Sequence, residues 1–257
     1  MLRVEDRPTV SPSRQGDTFI TRERLVEGLK QNLAWLIASS QTIRWATEKI
    51  ALREVFEALK LSNSRCAADL GCGGAHYIID LLVPLSTRVL GVEIDEKNLR
   101  IAAGRLAAEP RKNCIALIRA STDNVPIPDR SVDLILCTQV LEHLPDIRKG
   151  VSEMHRILRQ GGVAVMSIPI PPDPHPNPEH LHKDFTPEVL DCILESVGFK
   201  ILQRRRCMYA ISRAVAWLLD AVHLPLPLVP LCRLEQATAG VIRWPRPHVY
   251  ICAACKN

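Results

Sequence analysis

A glycine-dense turn, DLGCGGA, runs from Asp69 to Ala75 and directly follows a short apolar segment. Glycines such as Gly71 and Gly73 let the backbone turn sharply and approach a ligand closely, and a helix after the turn offers its amino end to that ligand. About 20 residues further along, Glu93 ends an apolar run, where an acid can accept the two hydroxyls of a ribose. The spacing predicts a site for a ribose-containing cofactor.

A dinucleotide site would need one more glycine in this turn. The GxGxxG pattern that cradles a pyrophosphate would place its third glycine at position 76, which is His76 in this chain. The turn therefore keeps the ribose acid but lacks the full pyrophosphate device, and we expect no binding of NAD.

Three histidines are candidates for general acid–base chemistry, because the pKa of imidazole lies near neutral pH. His143 follows a predicted strand in the segment QVLEH and should face the same edge of the sheet as the turn. His180 and His182 belong to EHLHKDF, a segment that would fold over that edge. Each of the three has a plain alternative as a capped or surface histidine.

The chain has nine cysteines, of which Cys252 and Cys255 form the one close CxxC pair. A zinc site needs a second such pair, and a redox CxxC is expected at the start of a helix, whereas this pair closes an alternating, strand-like stretch. We expect reduced cysteines packed in the core, with no metal or redox function at this pair.

Short apolar runs alternate with helical patterns along the chain. The alternation predicts an α/β fold, a Rossmann-like doubly wound, mostly parallel sheet with helices on both faces. Ligands of such sheets bind at the carboxyl ends of the strands, where the winding direction reverses. Strands are predicted at RCAADL, RVLGVE, CIALIRA, VDLILC and VAVMSIP, and helices over His76–Leu85, Glu96–Ala108 and Ile147–Leu158, the last of them ended by Gly161 and Gly162.

The predicted organisation is a flexible tail over residues 1–20, N-terminal helices over 21–61 and one domain over 62–257. The tail has acidic residues and prolines without an apolar stretch, so it does not have the pattern of a secretory signal, and we expect a cytoplasmic protein. With 47% hydrophobic and 24% charged residues the chain is typical of globular proteins. Its net charge of +5 comes from dispersed basic residues and does not indicate a nucleic-acid partner.

A helical insertion is predicted at about 207–246. Its apolar stripe includes Leu218 and Leu219, but Arg213, Asp220 and prolines interrupt it, so no membrane-spanning helix is expected. Three interpretations remain open: a lid over an acceptor pocket, a dimer contact, and a peripheral membrane dock aided by the arginines at 204–206.

Ordered motifs give this sequence a resemblance to the class I S-adenosylmethionine-dependent methyltransferases, and among them to the type 11 small-molecule group. The motifs are DLGCGGA after the first strand, GVEID after the second, TDNVPIPDRSVDLILCTQVLEHL across the fourth and LRQGGVAVMSIP into the fifth. A further stretch, HLHKDFTPEVLDCILESVGFKI, looks like the segment that lines the substrate side in this family. The resemblance covers about 64–203 and implies S-adenosylmethionine as the cofactor.

The same resemblance implies roles for individual residues. Asp69 would approach the methionine amino group, Gly71 and Gly73 would supply the backbone bed, and Glu93 would take both ribose hydroxyls. Thr138 would flank the methionine end.

The adenine end departs from the family pattern. Ser121 stands where the family usually has an acid against the adenine amine, so that Thr122 and Asp123 would share this task, or adenine would be held mainly by apolar contact.

Some ubiquinone-pathway members of the family carry Glu-x-x-Glu-His at the fourth strand and are associated with a divalent cation. This chain reads Gln139-Val-Leu-Glu142-His143, and an amide in place of the first carboxylate weakens a site for a hard cation. No metal is therefore predicted.

The resemblance implies a methyltransferase that acts on a small or lipid-like acceptor, as a monomer or a homodimer, with peripheral membrane contact as an open alternative. An RNA or protein methyltransferase is one alternative function. Another is a regulatory protein that binds S-adenosylmethionine without turnover.

Overall fold

The computed structural model describes residues 40–171, 178–207, 234 and 247–257. The predicted tail, the first of the predicted N-terminal helices and, apart from Leu234, positions 208–246 of the predicted insertion lie outside the described residues. Within the described part, no helix is long and apolar enough to cross a bilayer.

A seven-stranded sheet, in the order β3-β2-β1-β4-β5-β7-β6, forms the centre of the described fold. Its first five strands are parallel, and β7 runs antiparallel to both of its neighbours. The fold class predicted from the sequence is confirmed. The strands are β1 (Ser64–Leu70), β2 (Ser86–Glu93), β3 (Ile115–Arg119), β4 (Val132–Thr138), β5 (Leu158–Pro169), β6 (Phe199–Cys207) and β7 (Val249–Lys256).

The winding direction reverses between β1 and β4, which pair through Asp69 and Leu136. From β1 the chain winds outward through β2 to β3, then returns to the other side of β1 to form β4 and β5. The carboxyl ends of β1 and β4 therefore diverge into loops on opposite sides, which leaves a crevice between them.

Helices cover both faces of the sheet, and alternate residues of a strand belong to different apolar cores. Leu134 and Leu136 pack in one core, whereas Ile135 and Cys137 pack in the other. Such alternation is what a strand buried on both faces requires. The helices are α1 (Ser40–Ala58), α2 (Glu96–Leu106), α3 (Ile147–Ile157) and α4 (Pro187–Val197).

Side-chain caps fix the starts of three helices. Asp95 accepts a hydrogen bond from the Asn98 amide at the start of α2, and Asp146 accepts one from the Lys149 amide at the start of α3. Thr186 caps α4 in the same way. Because Asp95, the cap of α2, lies two residues after Glu93, the end of β2 leads directly into a capped helix start.

One local prediction was confirmed in outline and one was wrong. The helix expected over His76–Leu85 forms as a helical segment of mixed type, with a π-helical turn at Ile78–Leu82 followed by a 3-10 turn at Val83–Leu85, where Pro84 lacks an amide proton. Helix α3 ends at Ile157, before the predicted glycine cap: Leu158 is extended, and Gly161, with φ of +73°, lies at an irregularity inside β5.

Candidate functional site

A cavity of about 590 Å³ opens at the carboxyl end of the sheet, in the crevice predicted from the winding. Its walls come mainly from the segments that follow the parallel strands: Gly71 after β1, Glu93 and Asp95 at the end of β2, 120–122 after β3, and 139–140 and 143–145 after β4. The volume is in the range of pockets that hold a cofactor or a small molecule.

The glycine-dense turn is shaped by its contacts with the neighbouring strand and loop. The amides of Gly71 and Cys72 both donate to the Val92 carbonyl, at 2.8 and 2.9 Å, which bends the chain back over β2. Gly71 has φ of +76°, and a Cβ atom there would lie 2.3 Å from Cγ2 of Val140. A Cβ at Gly73 would meet nothing within 4 Å, so the backbone at that residue borders open space. The short contact with Val140 therefore makes glycine a steric requirement at position 71.

Glu93 is buried at the end of β2 and holds the turn from below. One of its carboxylate oxygens accepts from the Gly73 amide and the other from the Asp95 amide, each at 2.9 Å. Because each carboxylate oxygen has two lone pairs, both keep one for a pair of ligand hydroxyls. The sequence predicted the ribose role of Glu93 but not its bond to the turn.

Asp69 is a buried acid at the end of β1, and neither of its carboxylate oxygens has a hydrogen-bond partner among the described residues. Burial raises the pKa of this carboxyl to about 8, and the nearby Glu93 carboxylate adds to the shift. A buried acid in this state needs a cationic or hydrogen-bonding ligand to become a stable anion. The residues present therefore fit a ligand with a ribose diol and a cationic group.

The loop after β3 divides its polar residues between the cavity and the surface. Ser121 and Thr122 line the cavity. Asp123 accepts hydrogen bonds from the Ser121 hydroxyl at 2.6 Å and from Lys149 at 3.3 Å. Both bonds lower the pKa of the Asp123 carboxyl, and the bond from Ser121 has the larger effect. Of the three residues assigned to the adenine end, Ser121 and Thr122 are thus the ones that face the cavity, and Asp123 is engaged beside it. Thr138 is buried at the end of β4.

The structure brings together two of the three candidate histidines. His143 lines the cavity, and its ring centroid lies 4.8 Å from that of His180. The Nδ1 atom of His143 lies 3.0 Å from the Glu179 carbonyl oxygen. His182 instead makes a 2.8 Å hydrogen bond between Nε2 and the Leu144 carbonyl, and it is not among the cavity residues.

Glu142, His143 and His180 form a cluster whose potential ligand atoms all lie within 4.8 Å of one another. One carboxylate and two imidazoles are a donor set suited to a transition metal more than to magnesium. Gln139, the amide in place of the first carboxylate, donates to Glu48 and Ser167. The absence of a metal remains a prediction.

Sequence reasoning missed Glu48, a buried acid of α1. Its carboxylate accepts hydrogen bonds from Tyr77, Gln139 and Ser167, which connects α1 to the ends of β4 and β5. One signal could have found it: Glu48 lies four residues before Leu52, on the apolar face that packs against the sheet.

Comparison with known proteins gives a consistent family. Residues 68–166 match a family described as "Methyltransferase domain". A "Probable S-adenosylmethionine-dependent methyltransferase" of Mycolicibacterium smegmatis is 31% identical over 188 residues, which are 71% of this chain and 65% of that protein. A demethylmenaquinone methyltransferase of Desulfitobacterium hafniense is 32% identical over 115 residues, which are 44% of this chain and 46% of that protein. The chain spans about half to two thirds of the length of these relatives.

A solved structure supports the fold. The YcgJ protein of Bacillus subtilis superposes with a TM-score of 0.59 at 15% identity, over 82% of this chain and 98% of that one. At this identity the likeness concerns the arrangement of strands and helices alone.

Proposed function

The chain carries a methyltransferase domain of the class I S-adenosylmethionine-dependent family, and from this premise we propose that the protein binds S-adenosylmethionine in the cavity and transfers its methyl group to a small or lipid-like acceptor. One observation carries the cofactor assignment: within the described part of the chain, Asp69 is buried without a hydrogen-bond partner, beside a glycine turn whose Gly73 amide donates to Glu93. A relative named as a demethylmenaquinone methyltransferase supports the class of acceptor.

Four groups of this chain would hold the cofactor. The remaining lone pairs of Glu93 accept the two ribose hydroxyls, and the turn at Gly71 and Gly73 brings backbone close to the methionine portion. Asp69 binds the amino group, which supplies the positive charge that its buried carboxylate lacks. Ser121 and Thr122 face the adenine end from the loop after β3.

When bound, S-adenosylmethionine supplies an activated methyl group on a sulfonium. The protein contributes orientation and the exclusion of water, which together can supply about 7 to 11 kcal/mol of the barrier. Val140, whose side chain leaves room at Gly71 for nothing larger than glycine, and Leu144 give the cavity an apolar wall after β4. Such a wall suits an apolar acceptor.

His143 is the residue we assign to proton removal from a hydroxyl acceptor. With the proton on Nδ1 directed to the Glu179 carbonyl, Nε2 carries the lone pair that a general base needs. His180 packs edge-on against this ring and limits its orientation. His182 holds the Leu144 backbone, so we propose that it positions the segment over the cavity.

Calorimetry tests the cofactor assignment. The full chain is expected to bind S-adenosylmethionine and S-adenosylhomocysteine and to show no heat of binding with NAD, because His76 replaces the third dinucleotide glycine. Binding of NAD without binding of either methionine nucleotide would overturn the proposal. Formation of S-adenosylhomocysteine against metabolite pools then separates an enzyme from a protein that binds the cofactor without turnover.

A further inference from the structure

Glu48 is a carboxylate in the interior of the protein, with 1% of its surface exposed. It belongs to α1 and so lies outside 68–166, the part of the chain that matches the methyltransferase domain. The burial of an acid normally costs free energy unless a cation or several hydrogen bonds stabilise it. The contacts of the Glu48 carboxylate should therefore show what stabilises a buried acid at this position of α1.

Three uncharged donors converge on this carboxylate. The Tyr77 hydroxyl donates to one oxygen at 2.9 Å, and Gln139 Nε2 donates to the other at 3.2 Å. The Ser167 hydroxyl donates to that second oxygen as well. All three donors are uncharged, and together they occupy three of the four lone pairs of the carboxylate. None of the three donors neutralises its charge.

The charge lies directly behind the wall of the cavity. Gln139 lines the cavity and also donates to Glu48. Its backbone adopts the left-handed conformation, with φ of +54°, which is uncommon for residues other than glycine. Tyr77 lies near both Glu48 and Asp69. Burial is the main cause that raises the pKa of its hydroxyl, the Glu48 carboxylate is the next, and Asp69 contributes less. Glu48 therefore lies behind Gln139, on the side of the molecule that also holds Asp69, the residue proposed to bind the methionine amino group.

We propose that Glu48 is a positioning residue that makes the site prefer the positively charged sulfonium of S-adenosylmethionine over the neutral thioether of S-adenosylhomocysteine. This inference rests on the proposed function. The two nucleotides differ by one methyl group and one positive charge, and they share the adenosine and amino-acid portions. A group that interacts with the shared portions changes both affinities, whereas a buried charge near the sulfur changes their ratio.

The consequence concerns product release. After transfer, the positive charge on sulfur is gone, so the attraction exerted by Glu48 is lost while the contacts of Asp69 and Glu93 persist. Glu48 would therefore weaken the binding of the product relative to the substrate without contacting either. The hydrogen bond from Gln139 to Glu48 fixes the Gln139 side chain, which lies between the Glu48 carboxylate and the cavity.

The test is a pair of calorimetric titrations of Glu48→Gln and the full-length wild-type chain. The affinity for S-adenosylmethionine is expected to fall, with little change for S-adenosylhomocysteine, so that the preference for the sulfonium decreases about tenfold. The matched control is Glu57→Gln, which removes the same charge from an exposed position of the same helix and should leave the preference unchanged. Tyr77→Phe, which removes one hydrogen bond but keeps the charge, should also leave it unchanged.

Two results would overturn the inference. Equal losses of affinity for both nucleotides in Glu48→Gln would show a structural role alone. If the wild-type chain binds neither nucleotide, the proposed function fails, and the inference fails with it. If Glu48→Gln does not fold, the double variant Glu48→Met with Tyr77→Phe replaces the carboxylate and one of its donors by apolar side chains of similar volume. The same decrease in the preference for the sulfonium is expected for this variant.

Discussion

Burial and the Glu93 carboxylate raise the pKa of Asp69 to about 8, which makes this acid a source of instability in the ligand-free protein. The ordinary pKa of the side chain is 3.8, so the folded state binds a proton that the unfolded state releases as the pH rises. Stability is therefore lost progressively between about pH 4 and about pH 8. A ligand cation that pairs with the carboxylate would restore it.

The substitution Asp69→Asn removes this titration. We expect the variant to gain stability relative to wild type as the pH rises from about 5 to about 8, because an amide has no proton to lose. Urea unfolding at several pH values measures the difference, and S-adenosylmethionine affinity measured in parallel should fall. A stability difference that does not change with pH would contradict the assignment of the raised pKa to Asp69.

His143→Ala tests the general base. Turnover should fall about 100-fold or more while cofactor affinity stays near that of wild type, and the lower limb of the pH–rate profile should disappear. Formation of S-adenosylhomocysteine with an acceptor that supports activity is the measurement. His155→Ala serves as the control because His155 packs on Phe199, away from the cavity. An unchanged rate in His143→Ala would leave orientation as the mechanism or move the role to His180.

At the scale of elements, the end of β2 and the glycine turn after β1 act as one unit. The Glu93 carboxylate bridges the amides of Gly73 and Asp95, and Asp95 in turn caps α2. Loss of one side chain therefore affects the ligand, the turn and the start of a helix together.

Glu93→Ala should weaken S-adenosylmethionine binding at least about tenfold, since each charge-assisted hydrogen bond to a buried carboxylate contributes about 1.5 to 3 kcal/mol. Because the Gly73 amide also loses its acceptor, we expect a small fall in melting temperature without loss of the fold. Calorimetry and thermal unfolding give the two values. If the affinity is unchanged, another group such as Asp95 holds the ribose.

The edge strand β6 shows how the arginines at 204–206 are used. They alternate between two faces of the strand, as strand geometry requires, and each pairs with an acid on a neighbouring helix. The pairs are Arg204 with Asp191 of α4, Arg205 with Glu54 of α1, and Arg206 with Glu188 of α4. Each of the three arginines is thus offset by an acid, which weakens the cationic surface that a membrane dock would use.

For the whole molecule, this pairing favours a lid or dimer contact over a membrane dock as the role of the predicted insertion. We expect wild-type protein to stay in the soluble fraction in a flotation assay with anionic liposomes, because the nearby arginines are compensated by acids. Flotation that is abolished by Leu218→Asp with Leu219→Asp would contradict this expectation and identify the insertion as a dock. Retention of full activity in the same double variant would exclude a lid.

The sequence alone predicted the alternation of strands and helices and the crevice at the carboxyl ends of the strands, and the ribose role of Glu93 stays a prediction. These features depend on local pattern: alternating apolar runs imply a parallel sheet, and the strand-glycine-acid spacing of Gly71 and Glu93 fixes where a nucleotide would bind. The Gly161–Gly162 cap was mispredicted because a glycine pair marks a β irregularity as readily as a helix end.

Tertiary structure decided which polar groups share an environment. Glu48, Tyr77, Gln139 and Ser167 are separated by up to 119 positions, and only the packing of α1 on β6 and β7 brings the Glu48 side chain to the other three. Tertiary structure also separates His143, which lines the cavity, from His182, which contacts a backbone carbonyl, although similar sequence cues predicted both. Pattern specifies which face of an element is buried, whereas hydrogen bonding among distant elements specifies what each buried polar side chain meets.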